Sequence, residues 1–228
     1  MSRRNRKRPL NRSVILKSAL IFIVAFFISL VLWLGIMKYS GIKNYYGMAV
    51  TTVASYATAI VKNVKIVEIK REKDIVTVGF IPKKYGVTIL QTSINVPISN
   101  YTFNAPLTFA IMAAFFPFVK RRRVYAEALL IMVVVHLLFV FSYEAHGLTS
   151  ELEKQGYEKS SGAVHIFWEF LWGFINNMVV RFEPFLIGAY LYFLRDSARK
   201  PATADGPKEK THTSPPPKRA KKGRWKKK

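Results

Sequence analysis

The chain has 228 residues, half of them hydrophobic, and a formal net charge of +23 from 36 Lys and Arg against 13 Asp and Glu. Apolar runs alternate with dense charge, a pattern typical of membrane proteins rather than of globular domains. The absence of cysteine excludes disulfides, thiolate metal sites and a cysteine nucleophile. The sequence therefore predicts a membrane protein, mainly α-helical, with about four transmembrane helices, a small extracytoplasmic β unit and a disordered basic C-terminal tail.

The first predicted span is residues 18–37, a stretch of twenty residues without charge. Residues 1–17 precede it with seven Lys and Arg and no acidic residue, which is typical of a cytoplasmic flank. A cleaved signal peptide is the alternative, but its apolar region is usually shorter, about 7–15 residues. We therefore expect an uncleaved membrane anchor.

Residues 38–103 are predicted to form the main extracytoplasmic loop. Tyr45–Val61 is weakly polar and is expected to be a helix that continues from the first span or lies on the surface. Residues 64–96 are rich in Val, Ile and Thr with turn residues between, which predicts a small antiparallel β unit. The predicted strands are Val64–Lys70, Ile75–Ile81 and Val87–Val96. Because so few strands are marginal alone, the unit is expected to pack on the membrane surface or on the preceding helix.

Two further spans are predicted at residues 104–119 and 124–141, separated by a short basic turn. Asn104 suits a helix N-cap and Pro106 suits the first helical turn. The basic turn places this connection in the cytoplasm and is predicted to contact anionic lipid. Its residues are Lys120, Arg121, Arg122 and Arg123.

Two ionisable residues follow the basic turn. Glu127 is predicted to pair with Arg122 or Arg123, and His136 lies in mid-span, facing either the bundle or lipid as a neutral ring. A proton relay would need an acid at the depth of His136, and Glu127 is two to three helical turns away. The sequence therefore offers no His–acid pair at matching depth.

Residues 142–164 carry four Glu and two Lys and are predicted to be an outer loop, after which residues 164–194 return the chain to the cytoplasm. One interpretation is a single tilted helix. The favoured one has residues 164–177 in the outer interface, with Trp168 and Trp172 in the aromatic belt, followed by a fourth span. Pro184 is expected to kink the helix.

Residues 195–228 hold thirteen Lys and Arg and three acidic residues, a composition that cannot form a core and predicts disorder. Together with the other basic clusters, this tail places both termini in the cytoplasm of a bacterial inner membrane. The basic excess of residues 38–103 disagrees, but long loops translocate largely regardless of charge. Membrane lipid is the expected ligand of the tail, and nucleic acid is disfavoured because no recognition fold accompanies the charge.

The last apolar segment contains five polar residues that are predicted to make contacts. Glu169, Asn176 and Glu183 are spaced at i, i+7 and i+14, roughly one helical stripe, and Asn177 and Arg181 lie on a neighbouring stripe. Such groups are costly in lipid and usually face protein or a wet cavity. They indicate a lock between spans or an interface with another integral membrane protein, and less readily a catalytic site. We predict no cofactor.

His165 and Glu169 have the i, i+4 spacing that a metal site can use, but no third ligand is evident unless Glu144 or His146 folds back. We therefore predict a solvated His/Glu pair near the interface and no metal.

Two short windows are similar to the bacterial membrane proteins described as exosortase-associated, in particular those associated with exosortase H. They are Asn104-Ala105-Pro106-Leu107, and the segment from Arg181-Phe182-Glu183-Pro184 through Phe185-Leu186-Ile187-Gly188. The resemblance implies an inner-membrane accessory of a multipass transpeptidase that processes sorting-tagged exported proteins. The transpeptidase family uses a cysteine nucleophile, which this chain lacks, so the resemblance implies the partner rather than the enzyme.

Two other functions remain open from the sequence. One is a stand-alone assembly or scaffold protein of the envelope. The other is a subunit of a small transporter or membrane enzyme that uses Arg181 and Glu183 in a polar cavity.

Overall fold

The computed structural model describes residues 12–39, 41–83, 91–116, 118–119, 121–156 and 161–197, and the basic C-terminal tail lies outside these residues from residue 198 onward. The described chain is a helical bundle with a three-stranded sheet. In chain order, the elements are α1 (Arg12–Tyr39), α2 (Ile42–Val61), β1 (Val64–Glu72), β2 (Ile75–Pro82), β3 (Thr92–Pro97), α3 (Ser99–Thr102), α4 (Ala105–Phe115), α5 (Arg122–Lys154), α6 (Gly162–Phe174), a π-helical turn (Ile175–Val179) and α7 (Val180–Ser197).

Within the described residues, three helical segments are long and apolar enough to cross a membrane: Ser13–Leu32 in α1, all of α5, and Gly162–Leu194 in α6–α7. The predicted span at residues 104–119 forms only the 11-residue helix α4, which is about 17 Å long. This helix is too short to cross a hydrocarbon core of about 30 Å by itself. It packs between α1 and α7.

Helix α5 is longer than predicted, because it continues to Lys154 through residues that were expected to form a loop. Its outer part buries Ala145, Leu148 and Leu152, which follow the i, i+3, i+7 spacing of an amphipathic helix. Glu151, Glu153 and Lys154, which suggested a loop, lie on its more exposed side, whereas Glu144 is fully buried. The prediction of a loop from residue 142 was wrong.

Helices α6 and α7 form one continuous helical segment through the π turn. In this respect the segment matches the single-helix interpretation. Pro184 lies inside α7 without ending it, and the irregularity is the π turn that precedes it. A π turn inserts a residue into the helical repeat and is found frequently at functional sites.

The predicted antiparallel β unit is confirmed, with strand order β1–β2–β3. The first two strands begin at the predicted residues; the third begins at Thr92, and residues 84–90 lie outside the described residues. Val76, Val78, Phe80 and Val96 are fully buried, because the sheet packs against α2 and α5. Gly47 of α2 permits a close approach to this unit, since a Cβ there would lie 2.5 Å from the Ile98 side chain.

Helix α5 is the central element of the bundle. Residues further along α5 contact residues further along α2, so these two helices run parallel. The contacts are Tyr46 with His136 and Ser55 with Glu144. With α7 the order is reversed: His136 contacts Glu183, and the earlier residue Glu127 contacts the later residue Tyr190. Helix α7 is therefore antiparallel to α5.

Candidate functional site

A buried polar network connects four helices at the centre of the bundle. His136 of α5 shares a 2.5 Å hydrogen bond with the hydroxyl of Tyr46 through Nδ1, and its Nε2 lies 3.1 Å from Glu183 Oε2. The Thr108 hydroxyl donates a 3.0 Å hydrogen bond to the other oxygen of Glu183. The Nε2 contact has ion-pair distance but lacks the alignment of a hydrogen bond. We name these four residues the central lock.

The centre of the central lock is sealed from solvent. His136, Glu183 and Thr108 are each 0% exposed, and Tyr46 is half-buried at its edge. The ring of Tyr101 packs on His136 with centroids 5.3 Å apart, and its hydroxyl donates to the Gly47 carbonyl at 3.3 Å. The prediction that the chain lacks a His–acid pair at matching depth was therefore wrong. Glu127, on the same helix, lies two to three turns from His136, whereas Glu183 comes from α7, 47 positions further along the chain.

Asn104 satisfies a carbonyl that Pro184 leaves without a donor. In an α-helix, the N–H of residue 184 would bond the carbonyl of Val180, but proline has no N–H. The Asn104 Nδ2 donates to the Val180 carbonyl at 2.6 Å in its place. Asn104 does occupy the N-cap position of α4, but its side chain makes no capping hydrogen bond, so the predicted capping role was wrong. The first of the two windows that carry the family resemblance therefore contacts Val180, the residue directly before the second.

A second buried carboxylate lies further along α5. Ser55 donates a 2.6 Å hydrogen bond to Glu144 Oε1, and both side chains are fully buried. One turn beyond, Lys62 donates to Thr149 and lies 4.5 Å from the centre of the Trp168 ring. These contacts hold α2 on α5 and connect it to α6. The sequence contained a usable signal, because Thr51, Ser55 and Thr58 follow the i, i+4, i+7 spacing of one helix face.

An open cleft lies next to the lock. It has a volume of about 690 Å³ and is lined by Ser99, Asn100, Phe103, Asn176 and Arg181. Arg181 is exposed and forms no ion pair or hydrogen bond with any residue that the structure describes. Arg181 and Glu183, two positions apart, thus point in different directions, one to the cleft and one to the lock.

The π turn separates the predicted polar stripe. Glu169, Asn176 and Glu183 were expected on one face, but Glu169 is exposed, Asn176 is half-buried and Glu183 is fully buried. Hydrogen bonds in a π turn join residues five apart instead of four, so the turn changes the register between α6 and α7. Asn176 and Arg181, five positions apart, consequently line the same cleft, while Asn177 is exposed.

The histidines near the outer end of α5 do not form a metal site with the predicted residues. His165 Nδ1 lies 3.2 Å from Glu153 Oε2, and the rings of His146 and His165 are 6.3 Å apart. Among the described residues, no group of three or more His, Asp or Glu side chains is close enough together to hold a metal ion. The carboxylate beside His165 thus comes from α5 rather than from Glu169.

At the other end of α5, the basic turn is partly described. Arg123 donates to Glu127 Oε1 at 3.0 Å, which is one of the two predicted pairings, and the Tyr190 hydroxyl donates to the second oxygen of Glu127. Arg121 and Arg122 are exposed, and Lys120 lies outside the described residues. The anionic-lipid contacts predicted for this turn stay a prediction.

The sheet is joined to α2 by an ion pair between Asp74 and Lys43. Burial alone would raise the pKa of Asp74, but the hydrogen bonds from Lys43 and from the Ser99 backbone N–H outweigh it and hold the pKa below its ordinary value. The ionised carboxylate therefore stabilises the junction between the β2 turn, α2 and α3.

Compared with known proteins, the chain matches no family model, no curated protein and no solved structure.

Proposed function

We propose that the chain is a non-enzymatic, integral accessory protein of the bacterial inner membrane that supports another membrane protein. This proposal rests mainly on the exposure of Glu169 and Asn177 on the apolar segment α6–α7. A charged or strongly polar side chain facing lipid costs about 2.5–3.5 kcal/mol at mid-bilayer on insertion scales, and less near the interface. A partner protein that covers these groups removes this cost.

We infer four crossings with both termini in the cytoplasm. An apolar pocket of about 360 Å³ supports this arrangement, because it gathers residues near the start of α1, the end of α4 and the end of α7. Among its lining residues are Val14, Phe118 and Tyr192. The basic turn begins two residues after Phe118, so described residues close to each of the three predicted cytoplasmic clusters lie at the same end of the bundle. Helix α4 and the residues up to Val119 supply the short fourth crossing.

The burial of His136 and Glu183 supports a structural rather than a catalytic role for them. A hydroxyl, a carboxylate and an imidazole in contact are groups that catalysis can use, but a reacting substrate must reach them. The His136, Glu183 and Thr108 side chains are fully buried, and the neighbouring cleft is lined by other residues. Their contacts fix α4, α5 and α7 in one arrangement.

We propose that the partner is a membrane transpeptidase of the exosortase type. This proposal rests on the resemblance of two short windows. The windows lie next to each other in space, since Asn104 bonds Val180, the residue before the second window, and Thr108, the residue after the first window, bonds Glu183. Because these hydrogen bonds need both segments at once, they give a physical reason why the two windows occur in the same chain.

Affinity purification of the tagged full-length chain from native membranes tests the proposal. We expect one multipass peptidase to copurify, and the variant Glu169→Ala/Asn177→Ala to lose most of it. The matched control is Thr77→Ala/Asn95→Ala, which removes an exposed polar pair on the sheet and should retain the partner.

Other results of this experiment would support a different function or contact surface. Capture of an envelope complex without a peptidase favours a scaffold. If the Glu169/Asn177 variant captures as much protein as the control, the contact surface is wrong. A measured turnover that disappears in His136→Ala or Glu183→Ala variants with normal assembly would establish an enzyme.

A further inference from the structure

The cleft beside the central lock has the chemistry of an anion site. Its polar lining consists of Arg181, two asparagines and one serine, with no carboxylate among the described residues that line it. In the part of the chain that the structure describes, the Arg181 guanidinium has neither an ion pair nor a hydrogen bond, although it lies on a mainly apolar helical segment. A guanidinium presents five N–H donors in a planar fork, so an oxyanion in the cleft would satisfy several of them at once.

The π turn arranges the donors on one wall. Asn176 and Arg181 are separated by five residues, a spacing that places side chains on different faces of a regular α-helix. Across the π turn both line the cleft, and α3 contributes Asn100 to the same lining. Donors from two elements converge on a space much larger than one carboxylate needs. A phosphate group, with its several acceptor oxygens, matches this arrangement.

The surroundings of the cleft point to a ligand with acyl chains. Phe174, Met178, Phe182 and Phe185 are exposed on the same helical segment, and Phe103 lines the cleft with 55% of its surface exposed. Arg181 lies near the middle of the apolar segment Gly162–Leu194. A ligand that arrives through the membrane therefore meets apolar surface first and the cation within the cleft.

We propose that this cleft binds the phosphate headgroup of an anionic glycerophospholipid, with Arg181 as the main contact and Asn100 and Asn176 as further donors. The cleft lies at the level of Asn104 and Val180, away from the basic turn, so this site is separate from the anionic-lipid contacts predicted for residues 120–123. It does not depend on the proposed protein partner, which is placed on Glu169 and Asn177. An acidic side chain of a partner helix would pair with Arg181 without needing a cleft of this size.

Native mass spectrometry of the full-length chain in neutral detergent measures this binding. Phosphatidylglycerol is titrated, with phosphatidylcholine and glycerol 3-phosphate as separate arms. We expect one saturable phosphatidylglycerol adduct that Arg181→Gln weakens about ten- to a hundredfold, the size of effect for a lost charge-assisted hydrogen-bonding group. Arg181→Lys should weaken it less, because it keeps the charge and loses the fork.

The control variant is Arg71→Gln, which removes one exposed cation from β1 and should leave the adduct within about twofold of wild type, as surface charges contribute little. Equal loss in the two Gln variants would mean nonspecific attraction to a basic chain and would overturn the site. Equal affinity for glycerol 3-phosphate would exclude the lipid as the source of the phosphate. If Arg181→Gln keeps the lipid adduct and loses a copurifying protein, the cleft belongs to that protein.

Discussion

Helix α2 is fixed by two polar contacts that lie one turn apart and differ in burial. Lys43 pairs with Asp74, where the carboxylate side chain is 40% exposed, and Tyr46 bonds the fully buried His136. The Asp74 side chain thus keeps contact with water, whereas His136 does not. Loss of a partner should therefore cost more free energy the deeper the contact lies, and four sets of variants test this gradient.

The largest effect is expected for Glu183→Ala, which should lower the free energy of unfolding by about 3 kcal/mol, because it leaves His136 and Thr108 buried without their partner. Arg181→Ala, two positions away on the exposed side, should change it by less than about 0.5 kcal/mol. Denaturant titration in detergent measures both. The double variant His136→Ala/Glu183→Ala should cost less than the sum of the single variants. Strict additivity would mean that the two side chains do not act as a pair.

Asn104→Leu should cost about 2 kcal/mol, since it leaves the buried Val180 carbonyl without a donor. Pro184→Ala restores the N–H that this carbonyl lacks in the helix. In the Pro184→Ala background, Asn104→Leu should therefore lose most of its effect, as measured by the same titration. An equal cost in both backgrounds would show that Asn104 stabilises the bundle in some other way.

Lys62 represents the middle of the gradient, because it is half-buried between Thr149 and the Trp168 ring. Lys62→Met keeps most of the aliphatic chain and removes the charge. We expect a loss of about 1 kcal/mol in unfolding free energy, together with a change in the Trp fluorescence spectrum. Lys65→Met on the exposed side of β1 is the matched control and should have little effect. An equal loss in the two variants would contradict the ring contact.

The smallest effect is expected for Asp74→Asn, at most about 1 kcal/mol near neutral pH because the contact is partly solvated. The folded protein holds the pKa of Asp74 below its ordinary value, so ionised Asp74 stabilises the fold above the unfolded pKa of about 3.9. That contribution is lost as the pH falls through the folded pKa. Unfolding measured from pH 6 to 2 should thus depend less steeply on pH below about 4 in Asp74→Asn than in wild type. An unchanged slope would mean that the ion pair does not contribute.

The apolar and β-branched patterns in the sequence were sufficient to predict the three long apolar segments and the β unit, because the periodicity of burial is a local property. They were not sufficient to predict where the helices end. The Glu and Lys residues of 142–154 suggested a loop, although Ala145, Leu148 and Leu152 already had helical spacing. The length of the apolar run also suggested a full span at residues 104–119, whereas only 11 of these residues form α4.

The candidate site was only partly predictable, since its geometry depends on contacts between distant segments. His136 and Glu183 were each recognised as costly in a membrane, yet no local spacing relates residues 47 positions apart. The π turn was also missed, because a regular helical projection places Asn176 with Glu183 instead of with Arg181. Pro184 was the available clue to Asn104: a proline inside a helix implies a carbonyl that needs a donor from elsewhere.

The hydrogen bond from Asn104 to Val180 also has a consequence for biogenesis. Residue 104 leaves the ribosome long before residue 180, so its amide is available when the last helix enters the membrane. That helix brings a carbonyl that Pro184 leaves unpaired, and lipid offers it no donor. Vectorial synthesis thus presents the donor before the acceptor, and a circularly permuted chain that began at α6 would have to insert the proline-containing helix before its amide existed.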